Sequence, residues 1–312
     1  MSALIDALRQ RLSADRVITD ELRRLAYGTD GSFYRLIPEV VAVVNDEGEV
    51  RSVVELARQH QRTVTFRAAG TSLCGQAVTD GVLVLLGEGL ATCTISADGN
   101  TVQAGPAIIG AEVNRRLAPL GRKIGPDPAS INAAKIGGMA ANNSSGMCCG
   151  TAQNSYNTLA SIRVLLADGT LLDTGDSASV AAFKISHRSR LERLATLSAS
   201  VRADKALAQR IRSKYKIKNT TGYSLNALVD YSDPVDILAH LMIGSEGTLG
   251  FISRITYQTV PEHAHKASSL AFFPDMDSAC RAVVGLKERP VDAVELLDRA
   301  SLRCVAHKPG MP

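Results

Sequence analysis

Residues 40–86 read VVAVVNDEGEVRSVVELARQHQRTVTFRAAGTSLCGQAVTDGVLVLL, and the succession of textures in that stretch decides the fold. VVAVV (40–44) is short, continuous and β-branched, the composition of a strand buried on both faces. NDEGE predicts a turn, and VRSVVELARQHQ (50–61) places Val53, Val54, Leu56 and Ala57 on one helical face. TVTF (63–66) is the next strand. Strand, helix and strand in so short a span make a βαβ unit with parallel strands. RAAGTSLCGQ then forms a turn of small residues at the C-terminal end of a parallel strand, with a further strand, VLVLL (82–86), just beyond it. That is where α/β sheets bind ligands.

Upstream, residues 1–36 predict a helical lead-in. Leu4, Leu8, Leu12, Leu22 and Leu25 fall near helical spacing, and Ser13 or Asp20 is placed to cap a helix start. Downstream, from about 90 to 182, short apolar runs alternate with turns, and RVLLADGTLLDT carries an Asp-Gly pair at 168–169 of the hairpin type. Residues 187–216 are helical and basic. SSLAFFPDMDSACRAVVGLKER (268–289) predicts another strand and helix.

Three loops are rich in small residues. In the first, Arg67 to Ala77, small side chains let successive backbone N–H groups converge on an anion, and Thr71 and Ser72 add hydroxyls. It matches neither the GxxxxGK[ST] phosphate loop nor the GxGxxG dinucleotide fingerprint. By pattern alone a phosphate cradle and an ordinary tight turn both stay open. In the second, IGPDPASINAAKIGGMAANNSSGMCCG (124–150), two prolines fix a PDP turn, and the run from Gly137 to Gly146 has too little apolar volume to build a core. It predicts close backbone approach to something large and flat. The third is IGSEGTLGFISRI (243–255), punctuated by Gly244, Gly247 and Gly250, with KIKNTTGYSL (216–225) just upstream. Together they read as walls of one extended site.

Composition narrows the classes. Hydrophobic residues make up 45% and charged residues 21%, which excludes a disordered or collagen-like chain. No apolar run approaches the roughly 20 residues of a spanning helix. The start, MSALIDALRQRLSADR, lacks the apolar stretch and cleavage site of a secretory signal. Six cysteines without CxxC or zinc spacing predict a reducing, cytoplasmic setting rather than a disulfide framework. No Trp and 4% aromatics exclude a binder that stacks single-stranded nucleic acid. The net charge of +4 names no partner, but its distribution is uneven: Lys184 to Lys218 holds eleven Lys or Arg against Glu192 and Asp204. A solvated helix face is one reading of 184–218. The other is a docking surface for an anionic redox partner or the inner face of a membrane.

In order along the chain, RAAGTSLCGQ, GPDPAS with IGGMAANNSSG, LASIRVLLADGTLLDT, KNTTGYSL and IGSEGTLGFIS resemble the FAD-linked oxidase family, which has the PCMH or vanillyl-alcohol-oxidase fold. The resemblance is to the branch holding D-lactate dehydrogenases, glycolate oxidase subunits and D-2-hydroxyglutarate dehydrogenases, and it spans roughly residues 38 to 262. It implies an α+β chain with a PCMH-type FAD-binding fold of two α/β subdomains, about 37–90 and 91–262. A helical N-terminal arm (1–36) would precede them, and the start of a truncated substrate-cap domain (263–312) would follow.

The resemblance also implies residue roles. Ala68, Ala69, Gly70, Thr71 and Ser72, with Gly75, Gln76 and Ala77, would cradle the FAD pyrophosphate through backbone amides. Pro126, Asp127, Gly137, Gly138, Ala141, Asn142 and Gly146 would line the flavin and its ribityl chain, joined by Gly247 and Ile252. Ala68-Ala69 stands where many relatives have glycines, and so requires negative φ at both positions. No His lies in either phosphate-side loop, so FAD is expected to be non-covalent, with Cys74 and Cys148 as the thiols to watch. Cys148 and Cys149 inherit no role.

The implied activity is oxidation of a small anionic D-2-hydroxy acid, of the lactate, glycolate or 2-hydroxyglutarate class, by hydride transfer to FAD. Electrons would leave to an acceptor other than NAD: a quinone, an iron–sulfur domain or an electron-transfer protein. The family's substrate-side His, Arg and metal ligands lie in the cap domain, here expected beyond Pro312. No catalytic residue is therefore assigned within the chain, which alone is expected to turn over substrate poorly. His263 and His265 form an HxH pair without a third ligand, so no metal is assigned. The same scaffold also serves cell-wall-precursor reductases and alditol oxidases, and a non-catalytic FAD-holding subunit is a further alternative.

Overall fold

The computed structural model describes residues 2–286 and 288–309. Contacts divide the chain into two units, Met1–Glu262 and His263–Pro312. The first begins with helix α1 (Ser2–Arg11), edge strand β1 (Val17–Ile18) and helix α2 (Glu21–Ala26), the last capped by Asp20, whose carboxylate accepts the Arg23 amide. Strand β2 (Val40–Val44), helix α3 (Glu47–Gln59), β3 (Val64–Arg67) and β4 (Val82–Leu86) follow. They form one sheet in the order β1-β2-β4-β3, with β2, β4 and β3 parallel and β1 antiparallel at the edge. The N-terminal lead-in is thus part of this sheet as well as helical.

NDEGE, expected as a turn, is the start of α3. Asp46 accepts the Glu49 amide as N-cap, and Glu47 and Glu49 put negative charge at the positive end of the helix. Val50, Val53 and Ala57 of α3 are buried against Leu4 and Leu8 of α1, Leu12 just after it, and the Val40, Ala42 and Val44 face of β2. Each Val or Leu side chain among them contributes about 1.5–3 kcal/mol on leaving water. Val41 and Leu83 face the other way, into a small cluster with Ile18. Burial on both faces is what the unbroken VVAVV and VLVLL runs require.

The second sheet contains β5 (Cys93–Ile95), β6 (Thr101–Ala104), β7 (Arg122–Ile124), β8 (Leu159–Leu165), β9 (Leu171–Asp173) and β10 (Phe251–Pro261). Its order is β5-β6-β10-β8-β9, and β7 pairs with the far end of β10. All its pairings are antiparallel. The Asp168-Gly169 turn closes the β8–β9 hairpin, with Gly169 at φ 86. Helices α4 (Gly110–Leu117) and α5 (Ile136–Asn142) lie in its connections, and α6 (Ser177–Ser186), α7 (Arg188–Ala203), α8 (Lys205–Lys214), α9 (Ala227–Asp230) and α10 (Pro234–Met242) intervene before β10. Val113, Leu117, Ile136, Met139, Leu191 and Ile237 of these helices share one core with Ile162, Val164 and Tyr257 of the sheet. Across the two sheets, Glu47 of α3 receives both Arg163 Nε (2.7 Å) and Nη2 (2.9 Å) from β8.

In the basic stretch, Lys184 pairs with Asp233, Arg188 with Glu192 and Arg190 with Asp168. Lys205, Arg210, Arg212, Lys214, Lys216 and Lys218 are exposed. The second unit holds helices α11 (Met276–Leu286) and α12 (Arg299–Val305), the latter capped by Asp298. The strand expected at the start of 268–289 is absent among its described residues. Leu270, Phe272 and Phe273 lie exposed with no strand paired beside them, and an unpaired segment has no ladder to hold it extended. His263 and His265 are exposed, and no group of three potential ligands gathers for a metal among the described residues. Nor is any described helix long and apolar enough to cross a membrane.

Candidate functional site

A cleft of about 420 Å³ opens within the first unit between the loop after β3 and the segment entering and forming α5. Its size falls within the usual range of small-molecule sites. The apolar floor is Phe66, Phe251 and Ile252, and the two phenyl rings lie 4.8 Å apart. Ala68, Ala69, Gly70, Thr71, Ser72, Gln76 and Ala77 line one wall; Gly137, Gly138, Ala141 and Asn142 line the opposite one, with Gly247 nearby. Thr220 brings the KNTTGYSL segment to the same cleft.

The first wall is held from behind. Gly70 has φ 70, and its carbonyl accepts the Gly31 amide at 2.9 Å. A Cβ on Gly70 would stand 2.5 Å from the Arg67 guanidinium. That guanidinium donates through Nη1 to the carbonyls of Thr29 (2.7 Å) and Tyr27 (3.1 Å). It is half-buried, and burial pushes it below the usual arginine value. Arg67 therefore staples the loop to residues 27–29 and is not a free cation for a ligand. Ser72 donates its hydroxyl to Gln76 Oε1 and accepts the Cys74 and Gln76 amides at 3.3 and 3.4 Å. Gly75, at φ 80, backs onto the Tyr34 ring and lies outside the cleft lining.

With these bonds made, the amides of Ala69, Gly70, Thr71 and Ser72 have no acceptor among the described residues. Consecutive amides without a protein acceptor beside a cleft are available as an anion nest. Neither Ala68 nor Ala69 has positive φ, so alanine is accommodated there. Across the cleft, Gly138 approaches so closely that a Cβ on it would meet Ala68 Cβ at 3.4 Å. Gly137 sits against Pro106, where a Cβ would come within 2.6 Å.

Pro126, Asp127 and Gly146 stand behind the second wall, outside the lining. Asp127 accepts the Cys148 amide at 3.0 Å and the Cys149 amide at 3.1 Å, and a Cβ on Gly146 would lie 1.8 Å from the Asp127 carbonyl oxygen. Cys149 is buried, and burial pushes its thiol up.

Two charged lining residues escape a sequence reading. Lys135 precedes α5 and donates to the Leu86 carbonyl at 3.0 Å; burial pulls its ammonium down. Glu246 lies in the Gly244–Gly247 turn at φ 52, with its amide bonded to the Ala141 carbonyl and its Oε1 accepting from Asn142 Nδ2 at 2.6 Å. Burial pushes its carboxyl up, against the Asn142 hydrogen bond. In sequence Glu246 looks like any polar turn residue; only its φ and its Asn142 partner mark it.

The donor chemistry of the cleft fits FAD. A diphosphate is met by backbone amides without a buried arginine, and a flat ring system by an aromatic and aliphatic floor.

Residues 38–175 match the FAD binding domain family, and residues 262–312 match the FAD linked oxidases, C-terminal domain. The chain is 24% identical to glycolate oxidase subunit GlcD of Bacillus subtilis, covering 93% of this chain and 52% of that protein. It is 24% identical to D-2-hydroxyglutarate dehydrogenase of Escherichia coli, covering 94% and 29%, and 24% identical to D-lactate dehydrogenase of Archaeoglobus fulgidus, covering 84% and 48%. The chain thus spans about half or less of the length of these relatives. Among solved structures, alkyldihydroxyacetonephosphate synthase superposes with a TM-score of 0.56 at 16% identity, covering 84% of this chain and 40% of that one, a likeness of fold.

Proposed function

Because this chain belongs to the FAD-linked oxidases, we propose that it is the FAD-holding part of a flavin-dependent oxidoreductase acting on a small D-2-hydroxy acid of the lactate, glycolate or 2-hydroxyglutarate class. The observation that carries this reading is the run of four acceptor-free amides, Ala69 to Ser72, facing Gly138 across an apolar-floored cleft. In it residues 37–262 are the FAD-binding domain, and 263–312 begin a substrate-cap domain.

When bound, FAD supplies the hydride-accepting centre. The chain's own residues position and shield it. The Ala69–Ser72 amides would hold the diphosphate as fixed dipoles, and Arg67 keeps that loop in place through Tyr27 and Thr29. Gly137 and Gly138 let the second wall come close. Ala141, Asn142, Gly247 and Ile252 would hold the ribityl and ring portions, and Phe66 with Phe251 would keep water from the floor. Attachment is non-covalent in this reading. Clamping of the substrate carboxylate is assigned in this reading to the cap domain; Lys135, the one cation lining the cleft among the described residues, is tied to the Leu86 carbonyl. The exposed lysines and arginines of α8 and residues 216–218 offer an electron acceptor an electropositive face.

The test is the visible spectrum of the purified protein, repeated on the supernatant after acid precipitation. Flavin bands passing wholly into the supernatant as FAD are expected. Bands kept in the pellet would mean a covalent link, and a colourless protein that takes up no added FAD would sink the reading.

A further inference from the structure

Glu246 is the one carboxylate among the described residues lining the cleft, and no cation stands against it. Its two anchors both come from the end of α5: the Ala141 carbonyl accepts its amide at 2.9 Å, and the Asn142 side chain donates to Oε1 at 2.6 Å. Asn142 is itself oriented, because its Oδ1 accepts the Ser144 hydroxyl at 3.0 Å. The second carboxylate oxygen of Glu246 has no partner among the described residues. A turn that needed only to be tied to α5 would be served by glutamine, whose side-chain oxygen accepts the same bond. The charge is therefore surplus to the tether, and it costs free energy to hold in a half-buried place.

The cleft is polarised by this arrangement. Acceptor-free amides at Ala69–Ser72 favour negative charge on that wall, whereas Glu246 opposes it beside Asn142 and Gly247. We propose that Glu246 sets the electron affinity of the bound flavin: its carboxylate, fixed by Asn142, opposes the negative charge that FAD gains on reduction. This rests on the FAD reading above. Burial that disfavours the charged carboxyl is the expected companion of such a placement.

The experiment is potentiometric titration of the FAD-loaded protein at mildly alkaline pH, comparing wild type, E246Q and E55Q. Glu55 lies on the exposed face of α3, so its variant removes the same charge away from the cleft. E246Q is expected to keep the apoprotein melting temperature and FAD affinity within about twofold. It should favour two-electron reduction at least tenfold, a rise of about 30 mV in midpoint potential. E55Q should match wild type. An unchanged potential in FAD-loaded E246Q overturns the proposal, and so does loss of FAD by folded E246Q, which would make Glu246 a holding residue. Should E246Q fail to fold, E246D carries the test, because it keeps the charge a methylene further back. A smaller rise is then expected, and no rise overturns the proposal. A wild-type protein that takes up no FAD overturns the underlying reading instead, and that shows before any variant is compared.

Discussion

The loops at 67–77 and 124–150 are alike in sequence, about half glycine, alanine and serine in each, yet they spend those residues differently. In the first, the Ala69–Ser72 amides have no protein acceptor, and Arg67 and Ser72 turn inward to hold the loop: Arg67 to Tyr27 and Thr29, Ser72 to Gln76. In the second, α5 reaches the cleft together with residues on either side of it, Pro128, Ser130, Lys135, Ser144 and Ser145 among them. Farther out, Asp127 and Gly146 are packed on one another, with Asp127 satisfying the Cys148 and Cys149 amides. Small residues thus announce close backbone approach. Whether the neighbour is a ligand or another stretch of the same chain depends on which amides remain unpaired.

The sharpest way to break this contrast is at Gly146. Any side chain there drives a Cβ to 1.8 Å from the Asp127 carbonyl oxygen, backbone that cannot swing aside. G146A should therefore cost about 3 kcal/mol, the upper part of the overpacking range. At about 2–4 °C per kcal/mol, that is a melting-temperature loss of about 6–12 °C. A near-native melting curve would show that the flank is loose and the assignment of Gly146 to packing mistaken. Gly70 should behave in the opposite way. G70A places a Cβ at φ 70 and against the Arg67 guanidinium, a left-handed penalty of about 1–2 kcal/mol. Its main consequence should be at least a tenfold loss of FAD affinity by fluorescence titration, because the nest itself is distorted. Equal effects of G70A and G146A on FAD affinity would erase the distinction between the loops.

Legibility followed the same division. The parallel strands at 40–44 and 82–86 were readable to the residue, because burial on both faces leaves an unbroken apolar signature. The start of α3 was not: NDEGE has a turn's composition, and only the Asp46 side chain bonding Glu49 turns it into a helix start. The predicted strand after residue 268 failed because an apolar run becomes a strand only beside another strand. At the site, the motifs brought the cleft-lining glycines and Asn142 together. Glu246 and Lys135 were not legible, since their significance lies in contacts from Asn142 and to Leu86, distant in sequence.

Asp127 tests the second loop from the side-chain end. D127A leaves the Cys148 and Cys149 amides without their acceptor, a loss of about 1–3 kcal/mol seen in the melting curve. FAD affinity should change less than the stability does. If Asp127 instead touches the cofactor, affinity would drop while the melting temperature of the apoprotein held, and the flank would have to be counted with the cleft.

The smallest effects separate neighbours inside the first loop. Thr71 and Ser72 both line the cleft and both carry hydroxyls, but Ser72 is engaged with Gln76 and two loop amides, whereas Thr71 has no hydrogen-bonding partner among the described residues. A hydroxyl used within the protein contributes about 0.5–1.5 kcal/mol to folding, and one left free contributes to whatever it meets in the cleft. S72A should accordingly lower the melting temperature by a few degrees with FAD affinity within about threefold of wild type. T71V should leave the melting temperature alone and weaken FAD by about two- to tenfold, the same free energy now measured in binding. The reverse pattern would place the ligand-facing hydroxyl at Ser72, shift the open end of the nest by one residue, and require the loop's internal bonds to rearrange when FAD enters.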